Sequence, residues 1–289
     1  MTDANAAPDA APQQDRQSSD FSSTDGEIIV FRSSDGVLFN IHRRNLQSVT
    51  SGPFAEDFDA PAGEIVPLTE DKDTLRTLFA FVYPNPHPLL CDTSFEKLMQ
   101  VAEAGEKYKV APAISVCQLN MRLSMLYKKH PLEIIQFADR HGYTELLDLS
   151  APYTLELKLR MRDARRILSL PVFAAWAEYC QARRDILSLE TYNKRMCAVH
   201  SNGLLCLSWH SVVYMVEERW TERGMSSSED VDYIFRADGL PDCRALSYYN
   251  GATNSRHTYC QDQLEEWKGA VKERFLAMHP LSTYLTCPA

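Results

Sequence analysis

"SSDGVLFNIHRRNL", Ser33 to Leu46, is the stretch whose reading decides the fold. Asp35-Gly36 is a turn dipeptide, because glycine reaches the positive φ that a tight hairpin turn needs. "EIIVFR" (Glu27 to Arg32) precedes it and "VLFNIH" (Val37 to His42) follows. Both are short and rich in β-branched and aromatic residues, so they predict a pair of strands. The pattern then breaks into "RRNLQSVTSGPFAEDF", where Leu46, Val49, Phe54 and Phe58 suit two short helices parted near Gly52-Pro53. A His-Arg-Arg-Asn run at the exit of a hairpin poses the functional question: these groups either do chemistry or lock a small fold together.

Outward from the hairpin, "EIVPL" (Glu64 to Leu68) predicts a third short strand, with Pro67 marking an edge or terminal element. "TEDKDTLRTLFAFVYP" predicts a helix capped at Asp71 or Asp73, with Leu75, Leu78, Phe79 and Val82 on one face and Tyr83-Pro84 as its stop. Thr93 to Glu96 reads as a capping box for a helix that buries Leu98, Val101, Ala102 and Tyr108. Pro112 fits the first turn of the next helix, which carries Ile114, Cys117, Met121 and Met125. "KKHP", 128 to 131, predicts a joint between domains, after which Pro131 opens a helix and Gly142 closes it. Helical periodicity continues beyond, and returns at about Asp262 to Met278 with Leu264, Trp267, Val271 and Phe275. Between Ser201 and Tyr259 it weakens, which predicts long loops, with "SSSEDVDY" exposed to solvent. Before Ile28, Phe21 is the only aromatic or branched aliphatic side chain, so residues 1–24 are expected to form a disordered tail. The resulting layout is α+β: tail 1–24, a mixed domain 25–128, and a mainly helical region 129–289.

A net charge of −9 over 289 residues argues against a general phosphate-binding surface. The Arg-rich run Leu159 to Arg166 is expected to be the solvated face of a helix. With no apolar window long enough to span a bilayer and no apolar leader, neither a membrane nor a nucleic acid is an expected partner. The eight cysteines, scattered without a CxxC pair, then suit a reducing compartment, cytoplasmic or nuclear.

In combination, His42-Arg43, Leu46, Ser51, Phe54 and Phe58, followed by "EIVPLTED" and by "TLRTLFAFVY" ending in Tyr83, resemble the BTB/POZ domain. "AEAGEKYKV", with Ala104 and Tyr108, resembles that family's next helix. The resemblance covers about residues 25–128, and the whole layout is most similar to BTB proteins abundant in mushroom-forming (basidiomycete) fungi. It implies a three-stranded sheet capped by helices and a protein–protein interaction role, as scaffold or regulatory adaptor, with a second copy of the chain among the candidate partners. It also implies that Arg43, following the histidine, lines a charged pocket at a dimer groove. Two features depart from the family. The polar tail has no counterpart of its exchanged N-terminal strand and helix. Ala62-Gly63-Glu64 stands where recruiters of the cullin-3 ubiquitin ligase carry a hydrophobic-x-Glu motif, so a cullin-3 substrate adaptor is the alternative and not the favoured reading.

His42 and Arg43 lack an evident nucleophile or orienting carboxylate nearby, so a fold-locking role is preferred, with the His42 ring bonded to backbone at the strand–helix corner. Asp35, His42, Arg43, Leu46, Phe54, Phe58 and Tyr83 are the fold-defining or partner-contacting candidates. No GxSxG, Walker A or GxGxxG motif is present. The adjacent Glu217-Glu218 pair diverges around a helix and reads as surface. Trp176 and Trp267 sit at helical spacing and read as core anchors. Zinc is the sharpest competitor: Cys197-x2-His200 and His257-x2-Cys260, with Cys206 and Cys243, hold enough soft ligands for a tetrahedral site in a zinc-stabilised helical module. The preferred expectation is a non-enzymatic binding protein with no cofactor and no metal.

Overall fold

The computed structural model describes residues 15–54, 64–155, 161–194, 209–224, 226–236, 238, 247–250, 252 and 255–286, with backbone alone for 188–194, 247–250 and 255–261. The chain is α+β and divides into two compact units at Leu126/Tyr127.

In the first unit, strands β1 (Arg16–Gln17), β2 (Ile28–Arg32) and β3 (Val37–His42) precede helix α1 (Arg43–Val49). Strand β4 (Ile65–Pro67) and helices α2 (Lys72–Ala80), α3 (Phe95–Tyr108) and α4 (Ala111–Leu123) follow. The sheet is mixed and four-stranded, in the order β1-β3-β2-β4. Strands β2 and β3 form the expected hairpin, pairing Ile28 with His42 and Arg32 with Leu38. Gly36 turns it at φ +79°, a conformation that costs residues with a Cβ. Strand β4 runs parallel to β2 and β1 parallel to β3.

Period-2 alternation puts Ile29, Phe31, Phe39 and Ile41 on one face, where they meet Leu46, Leu75, Leu78 and Phe79, all buried. Phe79 is the hub, its ring 5.3 Å from Phe31 and 5.5 Å from Phe39. Each of these large side chains contributes about 1.5–3 kcal/mol through burial. The α1 exit is stitched to the end of α3 by the Thr50–Val110 bridge. Gly52 is required there, because a Cβ at that point would lie 2.7 Å from Lys109 Cγ.

The first unit departs from the sequence expectation in its N-terminal segment and in the cap of α3. Residues 15–24 are not a disordered tail: Arg16–Gln17 add a fourth strand to the expected three, and Phe21 packs against Phe39, Phe79 and Tyr83. Backbone pairing to β3 and one aromatic anchor supply what local composition lacks. The cap of α3 is Ser94, whose hydroxyl accepts from the Lys97 amide, and not Thr93. Asp71 caps α2, accepting from the Thr74 amide.

The second unit follows α5 (Leu126–Lys129) with α6 (Pro131–His141), α7 (Thr144–Ser150), a 3-10 turn (Ala151–Leu155), α8 (Met161–Ile167) and α9 (Leu170–Lys194). Gly142 closes α6 at φ +76°. Next come α10 (Trp209–Arg223), α11 (Ser228–Ile234), the hairpin β5 (Ser247–Asn250) and β6 (Ser255–Thr258), α12 (Tyr259–Leu276) and α13 (Leu281–Thr286). The region expected to be long loops thus contains two helices. Val212, Val213 and Val216 of α10 pack with Val231, Ile234, Phe235 and Trp267 in one buried cluster. Within "SSSEDVDY", Ser227 and Asp230 form a reciprocal capping box, so this segment is ordered and partly buried. Trp176 is buried and donates its indole N–H to Thr154 Oγ1 at 2.9 Å. Arg162, Arg165 and Arg166 are exposed on α8. Among the described residues, no helix is long and apolar enough to cross a membrane.

Candidate functional site

The hairpin–helix corner gathers the sequence candidates. His42 ends β3 and stands at the N-cap of α1, where extended backbone hands over to helix. Its imidazole Nδ1 lies 2.9 Å from the Tyr83 hydroxyl, and its backbone N–H donates to the same oxygen at 3.3 Å. The partner of the ring is therefore a phenol from beyond α2, and not backbone as expected. The one phenol oxygen thus serves both the backbone amide and the ring of His42, with donor and acceptor roles at Nδ1 set by the tautomer. Burial pushes the Tyr83 phenol above its ordinary range, only partly opposed by the His42 amide. Held neutral in this way, the phenol braces the corner.

The other candidates also meet partners within the unit. Asp35 Oδ1 accepts from the Lys72 amide at 2.8 Å, so the hairpin turn helps cap α2. Arg43 pairs with Glu27, Nε to Oε1 2.7 Å, while its backbone N–H donates to the Glu27 carbonyl. Leu46 is wholly buried. Phe54 stacks on Tyr108 with ring centroids 4.5 Å apart and touches Phe31 at 5.0 Å. Phe58, Cys197, His200, Cys206 and Cys243 lie outside the described residues, as do the side chains of His257 and Cys260. Among the described residues, no group of His, Cys, Asp and Glu is arranged to hold a metal ion.

Sequence reasoning missed a second polar centre, between α2 and α3. Glu70 Oε2 accepts from the Tyr108 hydroxyl at 2.5 Å, and Oε1 accepts from Lys107 Nζ at 2.8 Å. Burial alone would raise the Glu70 carboxyl, but bonds from Lys107, Tyr108, its own backbone and Thr69 outweigh it and hold the group below its ordinary value. Tyr108 is pushed up to about 12 by burial first and by the Glu70 bond second. Beside it Lys97 Nζ reaches both Asp71 and Thr74 at 2.9 Å. A groove of about 520 Å³ opens here, bordered by Glu70, Asp71, Glu96, Gln100, Glu103 and Lys107. Lys107 and Lys97 neutralise two of its carboxylates. The only advance signal was Glu70 ahead of a predicted cap and a Tyr at a helix end.

The corner has a cleft of its own, about 370 Å³, lined by Phe21, Asn40, His42, Tyr83, Asn85 and Pro86. Its lining is amide, phenol, imidazole and aromatic ring, with Asn40 bonded to the Ser23 carbonyl and His42 to Tyr83. Compared with known proteins, the chain matches no family model, no curated protein and no solved structure.

Proposed function

We propose that this chain is a non-enzymatic protein–protein interaction protein, a scaffold or regulatory adaptor, acting through a BTB/POZ-like first unit. One observation carries the reading. The hairpin β2–β3, helix α1, a third strand parallel to β2 and then α2, α3 and α4 follow in the order that the motif residues implied. The motif residues are spent on that framework: Leu46 and Phe54 fill the core, and His42 and Tyr83 brace the corner. A framework of this kind presents strand edges and grooves to a partner. Its polar side chains at the corner are engaged in holding it together.

Light scattering on the full chain across micromolar concentrations tests self-association, and co-purification with cullin-3 tests the adaptor alternative. A concentration-dependent dimer, or a stable cullin-3 complex, supports the reading and selects its form. Turnover of a substrate that a substitution at His42 or Tyr83 abolishes, without loss of fold, would overturn it.

A further inference from the structure

The segment that completes the sheet is weakly built. Residues 15–27 are exposed apart from Ser18 and Phe21, and β1 itself is only Arg16–Gln17. The segment lies along β3 as a bound peptide would. Arg16 N–H donates to the Gly36 carbonyl at 2.9 Å, Ser18 N–H to Leu38 at 2.8 Å, and Asn40 N–H to the Phe21 carbonyl at 2.9 Å. Asn40 Nδ2 holds the Ser23 carbonyl at 3.0 Å, and Gln17 Nε2 bridges the Phe21 and Leu38 carbonyls. Two side chains give the register: Asp20 pairs with Arg76 of α2, and the Phe21 ring enters between Phe39, Phe79 and Tyr83. Asp15 adds a longer contact to Arg32 at 3.9 Å.

The segment does not fill the trough in which it lies. A cavity of about 420 Å³, bordered by Arg16, Gln17, Val37, Lys72, Asp73 and Arg76, opens beside its first residues. The 370 Å³ corner cleft borders the next stretch, at Asp20, Phe21 and Ser23. A short polar strand with one half-buried anchor gains little burial for the backbone order it gives up. Main-chain bonds along a sheet edge, with a pocket for one side chain, are the basis of peptide docking by strand addition.

We propose that the β3 edge and the Phe21 pocket form a peptide-docking groove that residues 15–24 occupy in cis, and that a partner protein displaces them with an extended segment of the same chemistry. This rests on the interaction reading above and names its ligand. The partner segment is a polar strand running parallel to β3 with an acidic–aromatic pair. The acid meets Arg76, and the ring enters the Phe39–Phe79–Tyr83 pocket. A bulkier aromatic side chain, or residues reaching into either adjoining cavity, would let it outcompete the resident segment.

The test uses the full chain and a fluorescein-labelled synthetic peptide with the sequence of residues 14–25, read by anisotropy. Phe21→Ala removes the resident anchor. Ser18→Pro removes a main-chain donor while leaving Phe21 in place, so a folding defect in one variant does not end the test. In the unaltered chain the tethered segment competes at an effective concentration in the millimolar range. Both variants are therefore expected to bind the peptide at least about ten-fold more tightly than the unaltered chain does. The same peptide carrying Phe21→Ala should lose at least that factor. Equal binding by folded variants and the unaltered chain, or equal binding of the two peptides, overturns the groove. Should the unaltered chain dimerise through Phe21, the occupant is a second copy's own segment, and the commitment to a different partner is overturned. Failure to self-associate or to bind cullin-3 leaves these results unchanged, so the two readings fail separately.

Discussion

Tyr108→Phe isolates one bond in the polar centre between α2 and α3. The substitution keeps the ring that stacks on Phe54 at 4.5 Å and deletes only the hydroxyl that donates to Glu70 at 2.5 Å. Tyr108 is 5% exposed and the Glu70 side chain 14%, so water replaces the lost donor poorly. A hydrogen bond to a charged group contributes about 1.5–3 kcal/mol. Glu70 retains Lys107 and Thr69, which places the expected loss near the lower half of that range, about 2 kcal/mol. For a unit of this size the melting temperature should fall by roughly 6–10 °C. All four tryptophans, Trp176, Trp209, Trp220 and Trp267, lie beyond residue 126, so their fluorescence reports the second unit. Urea unfolding should therefore be followed by far-UV circular dichroism as well, and the first unit read from the transition that tryptophan does not see.

The pH dependence gives an independent check. Tyr108 is held neutral up to about 12, above the ordinary value of 10.0. Its contribution is full below pH 10 and is lost as pH rises through about 12, because the unfolded phenol then ionises first. Glu70 behaves oppositely: with its carboxyl below the ordinary 4.5, its contribution is full above that value and is lost as pH falls through the folded value. Tyr108→Phe should flatten the alkaline limb and shrink the acid one, since a bond that lowers Glu70 is gone. A loss below about 0.5 kcal/mol with both limbs unchanged would refute the reasoning.

Tyr83→Phe leaves the His42 amide and ring nitrogen without their shared oxygen and should cost about 1–2 kcal/mol, seen as faster hydrogen exchange of the His42 amide. Phe54→Ala removes a ring that is 3% exposed between Phe31 and Tyr108 and should cost about 3–5 kcal/mol in urea unfolding of the first unit. In the second unit, Asp230 accepts from Ser226, Ser227 and Arg223, and these bonds outweigh burial to hold its carboxyl below the ordinary 3.8. Asp230→Ala should destabilise that unit by about 2–3 kcal/mol above the ordinary carboxyl range, by tryptophan fluorescence, with the difference shrinking as pH falls through the folded value.

Several local signals matched the structure, while the α3 cap, expected at Thr93, falls one residue later at Ser94. The Asp35-Gly36 turn, the strand alternation around it, Asp71 as a cap, Pro112 in a first turn and Gly142 as a left-handed terminus each depend on neighbours within a few residues. The misses are mostly pairings over long separations. Residues 15–24 look disordered because their order is borrowed from β3 and from a pocket built by Phe39, Phe79 and Tyr83. His42 and Tyr83 are 41 positions apart, and nothing local joins them. Helix α11 was a different kind of miss. The Ser227-x-x-Asp230 spacing is itself a capping signal, but the surrounding Ser, Asp and Glu made the segment look like loop.

The placement of the corner residues changes how a partner contact should be sought. Asp35, His42 and Arg43 each hold another part of the first unit, at Lys72, Tyr83 and Glu27 respectively. Substituting any of them alters the fold's own bonds before it alters a partner's, so a loss of binding there would not locate an interface. Positions whose loss leaves the framework intact are more informative. Arg76 is such a position: it is more than half exposed, projects from α2, and its partner Asp20 belongs to the segment proposed to leave. Arg76→Ala should leave the core of the first unit intact and weaken resident segment and displacing peptide alike. Arg76→Glu should reject the acidic–aromatic peptide while accepting one with Lys in place of the acid. If the charge-reversed chain still prefers the acidic peptide, the pairing of Arg76 with Asp20 does not set the register, and the groove's selectivity rests on the Phe21 pocket alone.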